Sequence, residues 1–68
     1  MITLQSIQLR IAEVISQSGM TQKAIAEKLN IRQQTIQQYV SGRAMPSLET
    51  LANLCKLLDV DANYILCQ

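Results

Sequence analysis

Histidine, phenylalanine and tryptophan are absent from this 68-residue chain. There is also no acid pair at a defined spacing, no glycine-rich phosphate loop and no nucleophile beside a base, so the usual groups of catalysis are missing. The two cysteines, Cys55 and Cys67, show neither CxxC spacing nor histidine companions, which leaves a zinc site or a redox pair without ligands. We therefore expect no enzymatic activity, no bound metal and no cofactor.

Long apolar runs are missing as well, although 49% of the residues are hydrophobic. No stretch approaches the roughly 18 to 20 consecutive apolar residues that span a bilayer, and the start lacks a basic segment followed by an apolar run. We expect no membrane association and a cytoplasmic location.

A chain of this length folds as one domain, residues 1–68, around a single small core. Because its apolar residues are mostly Leu, Ile, Val and Ala, the composition predicts an all-α fold.

Apolar residues recur at three- and four-residue steps, which is the spacing of one helix face. The pattern predicts helices over most of residues 3–18, over 22–29, over 33–41, after residue 47 and over 62–67. Caps are expected at Thr3, Thr21, Ser47 and Asp61, whose side chains can accept backbone N–H bonds. Left-handed residues that end helices are expected at Gly19, Asn30 and Gly42.

These helices should bury one stripe each. Leu9 lies off the first stripe and has no place inside. The inward residues are predicted to be Leu4, Ile7, Ile11, Val14 and Ile15 in the first helix, Ile25, Ala26 and Leu29 in the second, Ile36, Tyr39 and Val40 in the third, and Leu48, Leu51, Leu54, Cys55 and Leu58 in the fourth, with Tyr64, Ile65 and Leu66 closing the core.

The formal net charge of +1 does not by itself suggest nucleic acid. Its distribution is more informative, because residues 1–43 hold five of the six cations and only two of the five acids. The second and third helices are also separated by about three residues, the length of turn that sets two helices at a steep angle for entry into the major groove. These features favour a helix-turn-helix at about residues 21–41.

The outer surface of the third helix is rich in glutamine, with Gln34, Gln37 and Gln38 opposite the inward face and Gln33 in the first turn. A carboxamide offers an acceptor and a donor side by side, which matches adenine N7 and N6 as a bidentate pair. We predict that these four glutamines read base edges. The alternative is that glutamine is an uncharged helix former on a solvated face.

Two neighbouring residues extend this prediction. Arg32, at the start of the third helix, can bind phosphate or extend to a base edge. Thr21 and the amino end of the second helix can offer donors to a phosphate, although Thr21 can equally be a cap and nothing more.

Several segments carry a family resemblance in order and in register, namely Met20-Thr21-Gln22, Ile25-Ala26, Asn30-Ile31, Ile36, Ser41-Gly42-Arg43, Pro46-Ser47-Leu48-Glu49-Thr50-Leu51 and Tyr64-Ile65-Leu66. Across nearly the whole chain they resemble the Cro/CI-type (XRE-like) helix-turn-helix family. The glutamine-rich third helix is similar to the recognition helix of the phage 434 branch of that family. The resemblance implies a five-helix, lambda-repressor-like DNA-binding domain and an A-rich half-site of the type ACAA.

The resemblance also implies residue roles. Gln22 matches a glutamine that bonds a phosphate and braces the first glutamine of the reading helix, and Arg10, Ser41 and Arg43 match phosphate contacts. Many relatives pair an arginine of the first helix with a glutamate of the third, where this chain has Ile15 and Val40. Replacing both partners of such an ion pair by apolar groups avoids a stranded charge, so we expect these two side chains to touch.

A net charge near zero supplies little counterion release, so tight binding should need a homodimer on a palindromic site with half-sites about 34 to 36 Å apart. The resemblance places possible dimer contacts at Met45, Ile65 and Leu66, which can alternatively complete the core of one chain. The predicted function is double-stranded DNA binding by a bacterial or phage transcriptional regulator, most simply a repressor. An antitoxin-like protein-interaction module with secondary DNA binding, favoured by Leu9 and the apolar tail, and the amino-terminal domain of a longer repressor remain alternatives.

Overall fold

Five helices follow one another in the computed structural model, which describes residues 1–67. Their bounds are Leu4–Ser16 (α1), Gln22–Leu29 (α2), Gln33–Ser41 (α3), Leu48–Leu58 (α4) and Ala62–Ile65 (α5). Over the described range all regular structure is helical, which confirms the all-α, five-helix prediction. Gln68, the last residue of the expected domain, lies outside the described residues.

Four helix starts are capped as predicted. The side chain of Thr3 accepts the N–H of Ser6, and Thr21, Ser47 and Asp61 make the equivalent bond at the starts of α2, α4 and α5, with donor–acceptor distances of 2.9 to 3.2 Å. These bonds satisfy N–H groups that have no partner inside a helix. Arg32 precedes α3 without a side-chain cap bond, so this start has little local support.

The ends of three helices are residues in the left-handed conformation. Asn30 (φ 56°) and Gly42 (φ 79°) were expected there, whereas Asp59 (φ 54°) at the end of α4 was not. The prediction for Gly19 was wrong in part: α1 ends at Ser16, and Gly19 (φ 78°) lies in the turn that leads into α2. The backbone departs from helical values at Gln17 (φ −92°, ψ 0°), and the hydroxyl of Ser18 donates to the carbonyl of Ile15 in the turn that follows.

The core lies where α3 packs against both α1 and α2, with α4 and α5 closing it. Ile15 is buried within this core and Val40 packs against it, and a direct contact between the two side chains stays a prediction. The chain buries Ile11, Val14, Ile15, Ile25, Ala26, Ile36, Tyr39, Leu51, Leu54, Cys55 and Ile65.

Three predicted core residues are exposed instead, the leucines Leu4 and Leu48 and, in α5, Tyr64. Leu4 is 59% exposed and Leu48 is 85% exposed. Each is the first residue of its helix, and helical side chains tilt toward the helix amino terminus, so both project past the packed part of the neighbouring helices. Leu9 is 71% exposed, as expected.

The last helix is shorter than predicted. It ends at Ile65 rather than at Cys67, and Cys67 itself adopts a positive φ of 62°. Tyr64 is also partly exposed rather than buried.

None of the five helices has the length and the apolar character that a membrane span requires. No group of three or more His, Cys, Asp or Glu residues between Met1 and Cys67 is arranged to hold a metal ion.

Candidate nucleic-acid interface

The turn between α2 and α3 is only three residues long. Asn30 reverses the chain through its left-handed backbone, and the N–H of Ile31 bonds the carbonyl of Ala26 at 3.0 Å. Ile31 packs against the core, and Arg32 is extended and exposed before α3 begins. Hydrogen bonding and burial together fix how α3 leaves α2.

The two faces of α3 are chemically distinct. Ile36 is fully buried and Tyr39 is only 7% exposed, and these two side chains anchor the helix. On the other side, the four glutamines predicted to read bases form the glutamine surface, which comprises Gln33, Gln34, Gln37 and Gln38. Three of them are exposed and Gln38 is half-buried.

The carboxamides of the glutamine surface have no intramolecular task. Among the side-chain hydrogen bonds within residues 1–67, none uses the side chain of Gln33, Gln34, Gln37 or Gln38. A glutamine whose amide is already bonded within the protein has fewer groups to offer a base edge. These four amides therefore keep their full donor and acceptor capacity.

Ser41 and Arg43 lie beside the glutamine surface. Together with Gln34, Gln37 and Gln38 they line a shallow recess of about 290 Å³, which we call the α3 recess. The left-handed turn at Gly42 brings Arg43 back toward α3, where its N–H bonds the carbonyl of Gln38 at 2.9 Å. The structure thus brings together predicted base-reading and predicted phosphate-binding residues.

The predicted contacts at the start of α2 lie on a separate segment. Thr21 uses its hydroxyl oxygen to accept the N–H of Ala24 at 3.0 Å, so it is a cap whose O–H can still donate. Gln22 is the half-buried first residue of α2.

Gln8 is a residue whose position sequence reasoning missed. Its side-chain amide donates to the carbonyl of Gly42 at 3.2 Å, which ties α1 to the end of α3 beside the α3 recess. The two residues are 34 positions apart, so no local pattern indicates the contact. A polar residue next to the apolar stripe of α1 was the one available signal.

Arg10 is not brought to the α3 recess. Its guanidinium donates to the carbonyl of Tyr64 at 3.1 Å and lies 4.4 Å above the centre of the Tyr64 ring. The Tyr64 hydroxyl in turn donates to Glu13, and this bond, with desolvation and the Glu13 charge, raises the pKa of Tyr64 against a smaller lowering by Arg10. Arg10, Glu13 and Tyr64 form a clasp that holds α5 against α1. A phosphate contact by Arg10 stays a prediction.

The residues expected at a dimer interface differ in what they can offer. The structure corrects the expectation for Ile65, which is fully buried in the core of its own chain and presents no surface to a second copy. Met45 and Leu66 are half-buried and pack against that core. Leu48 was predicted to lie inside the core but is exposed. It follows Met45 by three residues and therefore offers an apolar side chain near an expected dimer contact.

Comparison with known proteins agrees with this architecture. The sequence profile of the helix-turn-helix family matches residues 11–65. The chain is 37% identical over 57 residues to the HTH-type transcriptional regulator ImmR of Bacillus subtilis (strain 168). This aligned region covers 84% of the present chain and 45% of that protein. It is 38% identical over 45 residues to a Yarrowia lipolytica protein named as a multi-protein-binding factor 1, covering 66% of this chain and 30% of that protein.

The chain therefore spans less than half the length of these relatives. No solved structure matches it. The family match extends over α2, the turn, α3 and α4, and so includes every residue that lines the α3 recess. The chain belongs to the XRE-type helix-turn-helix family.

Proposed function

We propose that this chain binds double-stranded DNA in a sequence-specific manner as the DNA-binding part of a transcriptional regulator. The observation that carries the proposal is the glutamine surface, in which four unengaged carboxamides lie on the outer side of a helix whose inner side is anchored in the core. The membership of the helix-turn-helix family and the similarity to a transcriptional regulator support it.

In the proposed mechanism α3 enters the major groove and the glutamines select bases. A carboxamide that bonds adenine N7 and N6 discriminates against a wrong base by about 1 to 3 kcal/mol. Gln34 and Gln38, which share the α3 recess with Ser41 and Arg43, are the strongest candidates. A phosphate bound by Ser41 or Arg43 would hold the helix in register beside them. Gln37 lines the same recess, and Gln33 and Arg32 extend this surface toward the start of α3.

Phosphate contacts from α2 complete the proposed interface. The O–H of Thr21 and the amide of Gln22 lie at the helix start, where free N–H groups favour an anion. Two copies on a palindrome are proposed because a single chain of net charge +1 releases few counterions. A regulator of this kind represses most simply by occupying the promoter.

The test is selection of bound duplexes from a random DNA pool at fixed salt, with wild type, Gln34→Ala and Gln5→Ala in parallel. Gln5 is a matched control because it is also an exposed helical glutamine, on α1. We expect a palindrome with adenine-containing half-sites from wild type and Gln5→Ala, and a loss of preference at one position per half-site from Gln34→Ala. Enrichment of the same unrelaxed site by all three proteins would contradict base reading by Gln34.

One observation favours a second candidate, a protein-interaction module with secondary DNA binding such as an antitoxin. Leu9 of α1 is 71% exposed, and the name of the Yarrowia lipolytica relative describes a factor that binds several proteins. An antitoxin would also enrich its own operator, so co-purification of a second protein, rather than the DNA selection, separates the two candidates.

A further inference from the structure

We propose that the groove between α2 and α4 binds an acidic, amphipathic helix of a partner protein. This groove, the α2–α4 groove, is lined by Lys28, Leu29, Asn53, Lys56 and Leu57 and has a volume of about 500 Å³. It shares no residue with the α3 recess. The inference goes beyond DNA binding and does not depend on it.

The groove is built from two helix ends. Lys28 and Leu29 are the last two residues of α2, and on α4 Asn53, Lys56 and Leu57 stand at positions i, i+3 and i+4, which places them on one side of that helix. Leu29 and Leu57 are half-buried and pack against the hydrophobic core, so they form a firm apolar floor.

The charge of the groove has one sign. Lys28 and Lys56 are both exposed, and none of the five acidic residues of the chain lines the groove. Each lysine lies in the last turn of its helix, where it also complements the negative end of the helix dipole. A partner that brings carboxylates to both lysines would therefore meet no acidic side chain in the groove itself.

The apolar floor and the two lysines beside it together indicate which kind of partner fits the groove. An amphipathic helix in a hydrophobic groove buries apolar anchors at i, i+3 or i+4 spacing, and acidic residues flanking those anchors would face Lys28 and Lys56. A nucleic-acid backbone would use the two ammonium groups but would leave Leu29 and Leu57 without a partner, because phosphates and sugars offer no comparable apolar contact. The half-buried leucines thus favour a peptide over a nucleic acid.

The experiment uses two synthetic 16-residue amphipathic helices that share one leucine face, one flanked by glutamates and the other by lysines. Binding is measured by fluorescence anisotropy against wild type, the double variant Lys28→Glu/Lys56→Glu, and the control Lys23→Glu. Lys23 is an exposed lysine of α2 outside the groove. Methyl chemical shifts of Leu29 and Leu57 locate the site.

We expect wild type and Lys23→Glu to prefer the acidic helix and to show shifts at Leu29 and Leu57. The double variant should bind the acidic helix about tenfold more weakly, as expected for the loss of two exposed charge pairs, and should prefer the basic helix. Because Lys28 and Lys56 each complement the negative end of a helix dipole, the double variant should melt at a lower temperature than wild type while remaining folded at the assay temperature.

Three results would overturn the proposal: no binding of the acidic helix at millimolar concentration, shifts confined to other methyl groups, or equal binding by wild type and the double variant. A double variant that lost DNA affinity while wild type ignored both peptides would assign the lysines to a nucleic-acid backbone instead. Failure of DNA selection with intact peptide binding would reject the proposed function and leave this inference standing.

Discussion

Tyr64 joins the last helix to the first through its carbonyl, its ring and its hydroxyl. Arg10 uses the first two and Glu13 the third. α5 is only four residues long, and a helix of that length has little stability of its own. The clasp, together with the buried side chain of Ile65, is what keeps this short helix in place.

The clasp predicts a stability change at alkaline pH. The pKa of Tyr64 is raised in the folded chain, chiefly by its bond to Glu13, so the folded state holds this proton more tightly than the unfolded state does. The contribution is fully present below the unfolded tyrosine pKa of about 10 and is lost as the pH rises through the folded pKa. Wild type should therefore lose unfolding free energy above about pH 10, as measured by urea denaturation.

Tyr64→Phe is the matched variant for this measurement. It keeps the ring over Arg10 and removes the proton, so the alkaline loss should be smaller than in wild type. A shallower decline will remain, because burial, and secondarily the charge of Asp61, raise the pKa of Cys55 in the same direction. Identical pH dependence in the two proteins would show that the hydroxyl does not couple folding to pH.

At the scale of helices, the ends of α2, α3 and α4 share one backbone conformation but not one residue type. Asn30, Gly42 and Asp59 all adopt the left-handed conformation. Glycine and asparagine tolerate it best, whereas an aspartate also places a negative charge at the negative end of the helix dipole. Asp59 is thus the least favourable of the three helix ends.

Asp59→Gly should stabilise the chain by about 1 kcal/mol, because it relieves both the left-handed strain and the charge at the end of α4. Asp59→Asn removes only the charge and should give a smaller gain. Urea unfolding midpoints of the two variants measure the difference. A glycine variant less stable than wild type would mean that the Asp59 side chain makes a stabilising interaction that outweighs the strain.

The positions of helices proved predictable from local patterns, whereas their edges did not. α3 runs from Gln33 to Ser41 as expected, since the inward Ile36 and Tyr39 and the closing Gly42 fix it within one short segment. Leu4 and Leu48 fit their stripes by periodicity alone. Whether an apolar residue at the end of a helix is buried depends on how far the neighbouring helix extends. The spacing of apolar residues in the sequence carries no information about that length.

The candidate site also has a part that the sequence predicts and a part that it does not. The glutamine surface follows from the spacing of residues on one helix. The contact of Arg10 with Tyr64 joins residues 54 positions apart, and that of Gln8 with Gly42 joins residues 34 apart. Such contacts depend on tertiary packing, and no local signal marks them.

At the scale of the whole molecule, the exposed Leu48 lies three residues after Met45, one of the expected dimer contacts. A leucine that is 85% exposed adds little to the stability of a single chain. We predict that Leu48→Asp leaves the melting temperature unchanged and weakens binding to a palindromic site about tenfold. Affinity for an isolated half-site should stay the same.

Gel-shift titration on duplexes with one and with two half-sites measures both affinities. Leu9→Asp serves as the charge control, because Leu9 is 71% exposed and lies in a groove between α1 and the end of α3 that also contains Ser41. An equal loss on both duplexes would place Leu48 at the DNA rather than at a second copy. If both variants weakened binding equally, the loss would be explained by repulsion between an added negative charge and DNA, and Leu48 would have no specific role in a dimer contact.

The separation of the two faces of α3 has a consequence for how such a chain can diverge. Folding depends on Ile36 and Tyr39, while Gln33, Gln34 and Gln37 are exposed and carry no internal bond. Substitutions on the outer face therefore change what the helix presents without changing what holds it. Descendants of this sequence can acquire new targets one residue at a time while every intermediate still folds, and the same freedom makes the chain a scaffold for retargeting.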